Sequence, residues 1–168
     1  MMHGDSKYLF VDLDGTFALN DLFQERIVKL FFQVPLRVIE VFVRRGLVGV
    51  KHLAFENYEF NKIQILVNRQ VLKLIEQKKS AGYIVCLATA SPQVYADYIL
   101  KIWSVFDYAY GSDCCVNLKS HAKLDLIMRL SEQVDFEYVG DSLADEVIFK
   151  KCSRYYKIID KKVYEFIN

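Results

Sequence analysis

Apolar positions along this chain fall into two patterns. Short, mostly apolar runs recur at residues 8–11, 83–88, 106–110 (the weakest), 136–139 and 155–159; the first two are continuous, and Asp107, Glu137 and Lys157 interrupt the others. The first stops at Asp12, the second follows Ala81-Gly82, and the fourth ends at Gly140-Asp141. Runs of this length without alternation predict strands buried on both faces, as in parallel sheets. Between them the spacing is helical. Val71, Leu72, Leu74 and Ile75 form a stripe leading to a stop at Gly82. Ser91-Pro92 predicts a helix start, with Ser91 as the cap and Pro92 as the first helical residue. Leu124, Ile127 and Met128 mark a further helix, and Leu143, Val147 and Ile148 another. Alternating strands and helices predict an α/β fold with a mainly parallel five-stranded sheet.

One stretch does not alternate. Residues 17–67 read as helical throughout, with Pro35 opening a helix and Gly46 and Gly49 breaking one. This is a helical insert after the first strand, leaving residues 1–16 and 68–168 as the core domain. The whole chain is 168 residues, 53% hydrophobic and 14% aromatic, enough to bury a core and unlike a disordered chain. Lys and Arg (22) balance Asp and Glu (21), which gives no support to nucleic acid as a partner. The cysteines, at 86, 114, 115 and 152, form no zinc or disulfide pattern and fit reduced thiols in a cytoplasm. The first seven residues lack the apolar stretch of a secretory signal. No apolar run approaches the ~18 residues that a membrane-crossing helix needs.

The candidate chemistry sits at the predicted strand ends. Asp12-Leu13-Asp14-Gly15-Thr16 follows the first strand directly. Two aspartates two positions apart can point the same way as the chain leaves the strand, and Gly15 permits a tight turn. Ligands of open parallel sheets bind at this end. Paired carboxylates there repel each other unless a cation intervenes, and oxygen ligands suit Mg²⁺. Such a string arises by chance in roughly one chain of this length in five hundred. A second pair, Asp141 and Asp145, follows the fourth strand in Gly-Asp-Ser-Leu-Ala-Asp. Thr89 ends the second strand, where its hydroxyl and neighbouring N–H groups, that of Ala90 included, can hold phosphate oxygens. Lys123, at the start of a helix, can neutralise a carboxylate or a phosphate. Lys119 is its rival for that role. Asp21 reads as a helix cap or a turn residue, His121 as an exposed residue at a helix start, and His3 as part of a loose terminus.

Taken in this order, Asp-Leu-Asp-Gly-Thr, Leu-Ala-Thr-Ala-Ser, Lys123 and Gly-Asp-Ser-Leu-Ala-Asp resemble the haloacid dehalogenase (HAD) superfamily of phosphatases. The phrases around these motifs are similar to the HAD domains that precede membrane prenyltransferases. The resemblance implies a Rossmann-like three-layer α/β/α core with the insert as a helical cap. It implies a Mg²⁺-dependent phosphatase that cleaves a phosphate monoester through an aspartyl-phosphate. Asp12 would be the nucleophile and Asp14 the general acid and base. Asp12, Asp141, Asp145 and the backbone carbonyl of Asp14 would hold Mg²⁺. Thr89 and Ala90 would bind the phosphoryl group, with Lys123 steadying Asp12 and the phosphate. Phosphomutase chemistry uses the same residues and stays open.

Charge within the insert is uneven. Between residues 26 and 51, Arg26, Lys29, Arg37, Arg44, Arg45 and Lys51 face Glu40 alone, among many apolar residues. Two readings compete. In one, cap helices pack their apolar faces together and the cations are solvated. In the other, residues 26–51 touch an anionic membrane surface from its inner, cytoplasmic face. The second would suit a lipid-linked phosphate beside phosphorylated small molecules. It also supplies the non-enzyme alternative, a peripheral membrane or partner-binding module of the same fold with little turnover.

Overall fold

A computed structural model of the chain describes residues 7–20, 22–55, 64–113, 115–132 and 134–168. His3, Asp21 and Cys114 lie outside the described residues. Five parallel strands, β1 (Lys7–Val11), β2 (Tyr83–Pro92), β3 (Tyr108–Ser112), β4 (Phe136–Gly140) and β5 (Arg154–Ile159), form one sheet with a sixth, β6 (Lys162–Ile167). The order is β3-β2-β1-β4-β5-β6, and only the β5–β6 pairing is antiparallel. The expected count of five strands is therefore corrected to six. β6 is joined to β5 by Asp160-Lys161, both at positive φ (50° and 65°), the conformation of a two-residue hairpin turn. That turn carries no glycine, which removes the usual sequence mark of a hairpin.

The unbroken apolar runs of β1 and β2 have the cause expected of them. Leu9, Phe10 and Val11 are all fully buried because both faces of the sheet are covered. Leu9, Val11, Val85, Leu87 and Val139 pack on one face with α3 (Arg69–Ser80) and α4 (Gln93–Ile102). Phe10, Cys86, Ala88, Phe136 and Tyr138 pack on the other with α5 (His121–Leu130) and α6 (Glu146–Phe149). This makes a three-layer α/β/α arrangement. Asn68 caps α3 by accepting from the N–H groups of Gln70 and Val71, and Gly82 follows at φ 83°. The apolar spacing after Asp141 resolves into a 3₁₀ turn, Leu143–Asp145, and the single turn of α6.

Two helices, α1 (Leu22–Gln33) and α2 (Pro35–Phe55), lie between β1 and α3 in the chain and pack together as a hairpin. Gly46 leaves the helical region (φ 61°, ψ −159°) and kinks α2, as its sequence position predicts. Gly49 does not break the helix. The ends of this segment are tied side by side. Leu19 N–H donates to the Leu66 carbonyl at 2.7 Å, and Asn68 N–H to the Phe17 carbonyl at 2.9 Å. Among the described residues no helix is long and apolar enough to cross a membrane.

Candidate active site

The strand order reverses direction beside β1. Connections from β1 run to β2 on one side, and β4 pairs β1 on the other. Ligands of open α/β sheets bind at such a switch point. The predicted residues converge there. Asp12 leaves β1 with its N–H donating to the Val139 carbonyl at 2.9 Å, which stitches the end of β1 to β4. Its carboxylate Oδ1 accepts from Lys123 Nζ at 2.7 Å. Lys123 reaches in from the first turn of α5 and is only 3% exposed. It also donates to the Tyr138 hydroxyl at 3.0 Å and, at 3.4 Å, to Asp145 Oδ1. Lys119, its rival by sequence, is exposed on the loop before α5.

Asp145 is as buried as any core residue, at 1% exposure. Four donors account for this: Lys123, the Tyr138 hydroxyl at 2.8 Å on Oδ1, and the Ser142 N–H (3.2 Å) and hydroxyl (2.8 Å) on Oδ2. Asp141 accepts from the Thr16 hydroxyl at 3.2 Å. Its carboxylate lies so close to Gly15 that a Cβ there would meet Asp141 Oδ2 at 2.1 Å. Gly15 also sits at φ 79°, so both the turn and the close approach require glycine. At Gly140 a Cβ would meet Asp145 Oδ2 at 2.8 Å, which keeps that position open for the same reason.

Oxygen atoms of Asp12, Asp141 and Asp145 all lie within 4.8 Å of one another. Burial pushes the Asp12 carboxyl up to about 6; Lys123 opposes the shift and Asp145 adds to it. Burial likewise raises Asp141, with Thr16 opposing and Asp145 adding. Burial disfavours the Lys123 ammonium, but Asp12 and Asp145 outweigh it and hold that group above its ordinary value. Burial, with Asp12 and Asp145 nearby, holds the Tyr138 hydroxyl well above its ordinary value, so it stays a donor. The cluster thus gathers three carboxylates around one ammonium. A hard divalent cation with oxygen ligands fits this donor set, since it would favour the ionised carboxylates against the burial and, secondarily, the mutual repulsion that raise Asp12 and Asp141.

Asp14 is held apart from that triangle. Its Oδ2 accepts from the Ser91 hydroxyl at 2.7 Å. This corrects the expectation that Ser91 caps α4: the helix begins at Gln93 after Pro92, and no side chain caps it. Ser91 N–H instead donates to Thr89 Oγ1 at 3.0 Å. Thr89 is 1% exposed where the pairing of β2 becomes irregular, three residues before the strand ends and one strand over from Asp12. Because its oxygen already accepts that bond, its hydroxyl hydrogen remains available as a donor. Ala90 follows, and its carbonyl accepts from the Ser112 hydroxyl at 2.8 Å. His121 stands exposed at the first residue of α5.

Four polar residues escaped the sequence reading of this cluster: Thr16, Ser91, Tyr138 and Ser142. Ser142 was findable, since Ser-x-x-Asp before a helical turn is a capping signature. Thr16 lay within the first motif. Tyr138 carried no mark beyond a hydroxyl in an apolar strand, which needs a partner when buried.

Comparison with solved structures places this architecture. A probable phosphoserine phosphatase from Vibrio cholerae superposes with a TM-score of 0.62 at 15% identity, covering 91% of this chain and 56% of that one. The chain has the HAD fold. A phosphoserine phosphatase solved as a phospho-aspartyl intermediate analogue gives a TM-score of 0.52 at 19% identity, over 90% of this chain and 86% of that one. At these identities the likeness is one of fold. By sequence, the "Uncharacterized protein y4nM" of Sinorhizobium fredii is 33% identical over 147 residues, 86% of this chain. The chain spans 28% of that relative's length. No protein-family model matches.

Proposed function

We propose that the chain is a Mg²⁺-dependent phosphatase that hydrolyses a phosphate monoester through an aspartyl-phosphate. The observation that carries this is the triangle of Asp12, Asp141 and Asp145 with the buried ammonium of Lys123 on Asp12. The HAD fold, shared with a phosphatase solved as a phospho-aspartyl analogue, supports the same reading.

Each residue has a task that its surroundings suit. Asp12 attacks phosphorus through one carboxylate oxygen, while Lys123 holds the other and fixes the side chain's direction. Lys123 also offsets charge on the transferring phosphoryl group. Asp14 gives its proton to the leaving alkoxide, then takes one from the water that attacks the aspartyl-phosphate. Ser91 orients it for both steps. The Thr89 hydroxyl and the Ala90 N–H hold the phosphoryl oxygens near the end of β2. Asp12, Asp141, Asp145 and the Asp14 carbonyl would hold Mg²⁺, and Tyr138, Thr16 and Ser142 position these ligands. When bound, Mg²⁺ supplies charge neutralisation between the carboxylates and the phosphate dianion.

The α1–α2 hairpin is the cap in this reading. Its two tied ends, at Phe17–Leu19 and Leu66–Asn68, support a segment that closes over the site and excludes water. The nearer likeness, to HAD domains that precede membrane prenyltransferases, belongs to the same proposal and rests on the motif phrases. So does a reducing, cytoplasmic setting, which rests on thiol usage.

Hydrolysis of an aryl phosphate tests the proposal. Turnover is expected with Mg²⁺, and neither chelation of the metal nor Asp12→Asn should leave any. Turnover that survives Asp12→Asn would overturn the assignment.

A further inference from the structure

Helix α2 turns an apolar face outward. Leu36, Ile39, Phe42 and Val43 are spaced to share one side of the helix and are 81%, 51%, 52% and 79% exposed. α2 packs through its other side, where Val38 is 8% exposed and Val41 joins the core. The end of α1 continues the outward face, with Phe31 49% and Phe32 82% exposed across the short link to Pro35. No described residue covers this face. Soluble chains seldom expose large apolar side chains in a contiguous group unless it serves contact.

The charge beside it is one-sided. Lys29, Arg37, Arg44 and Arg45 are all exposed, and Arg37 and Arg44 lie about two helical turns apart along the flank of the apolar face. The sole acid between residues 27 and 46, Glu40, is 3.1 Å from Arg44. From these observations we infer that the α1–α2 hairpin docks on an anionic lipid bilayer. The apolar face enters the acyl boundary and the arginines meet the headgroups.

Charge and shape favour this occupant over others. A second copy paired about a two-fold axis would set the same cations against themselves. Single-stranded nucleic acid is bound by stacking on aromatic rings. Here half of the face is aliphatic, Leu36, Ile39 and Val43, and the chain as a whole balances 22 Lys and Arg against 21 Asp and Glu, without the basic excess of a strand-binding groove. Docking needs no catalytic residue, so it stands or falls independently of the phosphatase proposal.

Co-sedimentation of the 168-residue chain with vesicles tests the inference. Binding is expected to phosphatidylcholine vesicles that contain phosphatidylglycerol, and much less to phosphatidylcholine alone. Added salt should weaken it. Arg37→Ala with Arg44→Ala should lower partitioning about fivefold per residue. Phe32→Ser, Leu36→Ser and Val43→Ser together should lower it about tenfold per side chain. A thermal melt of each variant that matches the parent shows that the fold is intact. Failure of the parent to sediment with anionic vesicles would overturn the inference. So would binding that the triple variant retains, or a concentration-dependent dimer, lost in the triple variant, in place of vesicle binding.

Discussion

Two regions of this molecule handle buried and exposed chemistry in opposite ways. At the carboxyl ends of β1 and β4, charged groups are buried and heavily bonded: Lys123 and Asp145 are 3% and 1% exposed. On the α1–α2 hairpin, large apolar groups are exposed, with Phe32 and Leu36 above 80%. Both arrangements are costly in an isolated domain. A buried ion cluster is costly because desolvation competes with attraction, and an exposed apolar face because it orders water. Burial with bonded partners in one region and bare apolar surface in the other suit the two contacts proposed above, a phosphate ester with a cation for the first and a bilayer for the second.

That contrast can be broken most strongly at Lys123. Lys123→Ala leaves Asp12 and Asp145 buried without their cation and should destabilise the chain by about 3–5 kcal/mol. Urea unfolding measures it, and hydrolysis should be lost with it. Gly15→Ala should come next. The new Cβ would collide with Asp141 at a backbone conformation that L side chains avoid, costing about 1–3 kcal/mol. The expected result is a lower melting temperature and the loss of any melting shift on adding Mg²⁺. Tyr138→Phe keeps the ring but removes the hydroxyl between Lys123 and Asp145. Unfolding should then be easier by about 1–3 kcal/mol, while the fold stays intact by circular dichroism.

A pH series sharpens the same region of the molecule. The Asp12 carboxyl is raised from its ordinary value to about 6. A raised carboxyl makes the folded state bind its proton more tightly than the unfolded chain does. The stability it contributes is fully present below the unfolded pKa of about 3.9 and is lost as pH rises through about 6. Mg²⁺ at the proposed site would bind the ionised form, so the melting shift it produces should be small near pH 5 and large near pH 7.5. An equal shift at both values would contradict the placement of Asp12 in the metal triangle. The smallest effect belongs to the hairpin: Phe32→Ser alone should change stability by less than about 0.5 kcal/mol, because an exposed side chain makes few folded-state contacts.

The residues show why some of this was legible in the sequence. Strands β1, β2 and β4 are buried on both faces, so their runs are apolar apart from Glu137, and those of β1 and β4 end sharply at Asp12 and at Gly140-Asp141. The site inherits that clarity, since Asp12 and Asp141 are where two runs stop. Lys123 was legible only as one of two lysines; its burial depends on α5 facing Asp12, a long-range fact. Ser91 was misread because Ser-Pro before a helix carries a local meaning that Asp14, 77 residues away, overrides. β6 was missed because Asp160-Lys161 adopts a turn that glycine usually marks, and because the edge strand, largely exposed, shows no clear alternation. The hairpin's helices were readable from spacing. Which of their apolar residues face outward was not, because periodicity does not say which face finds a partner.

The most direct test of the central claim is acid-quench mass spectrometry of the chain during turnover of an aryl phosphate with Mg²⁺. A hydroxylamine-labile phosphoryl group on the peptide that carries Asp12, absent in Asp12→Asn, is the predicted result. Hydrolysis without a phosphorylated protein, at a rate that Asp12→Asn preserves, would contradict it.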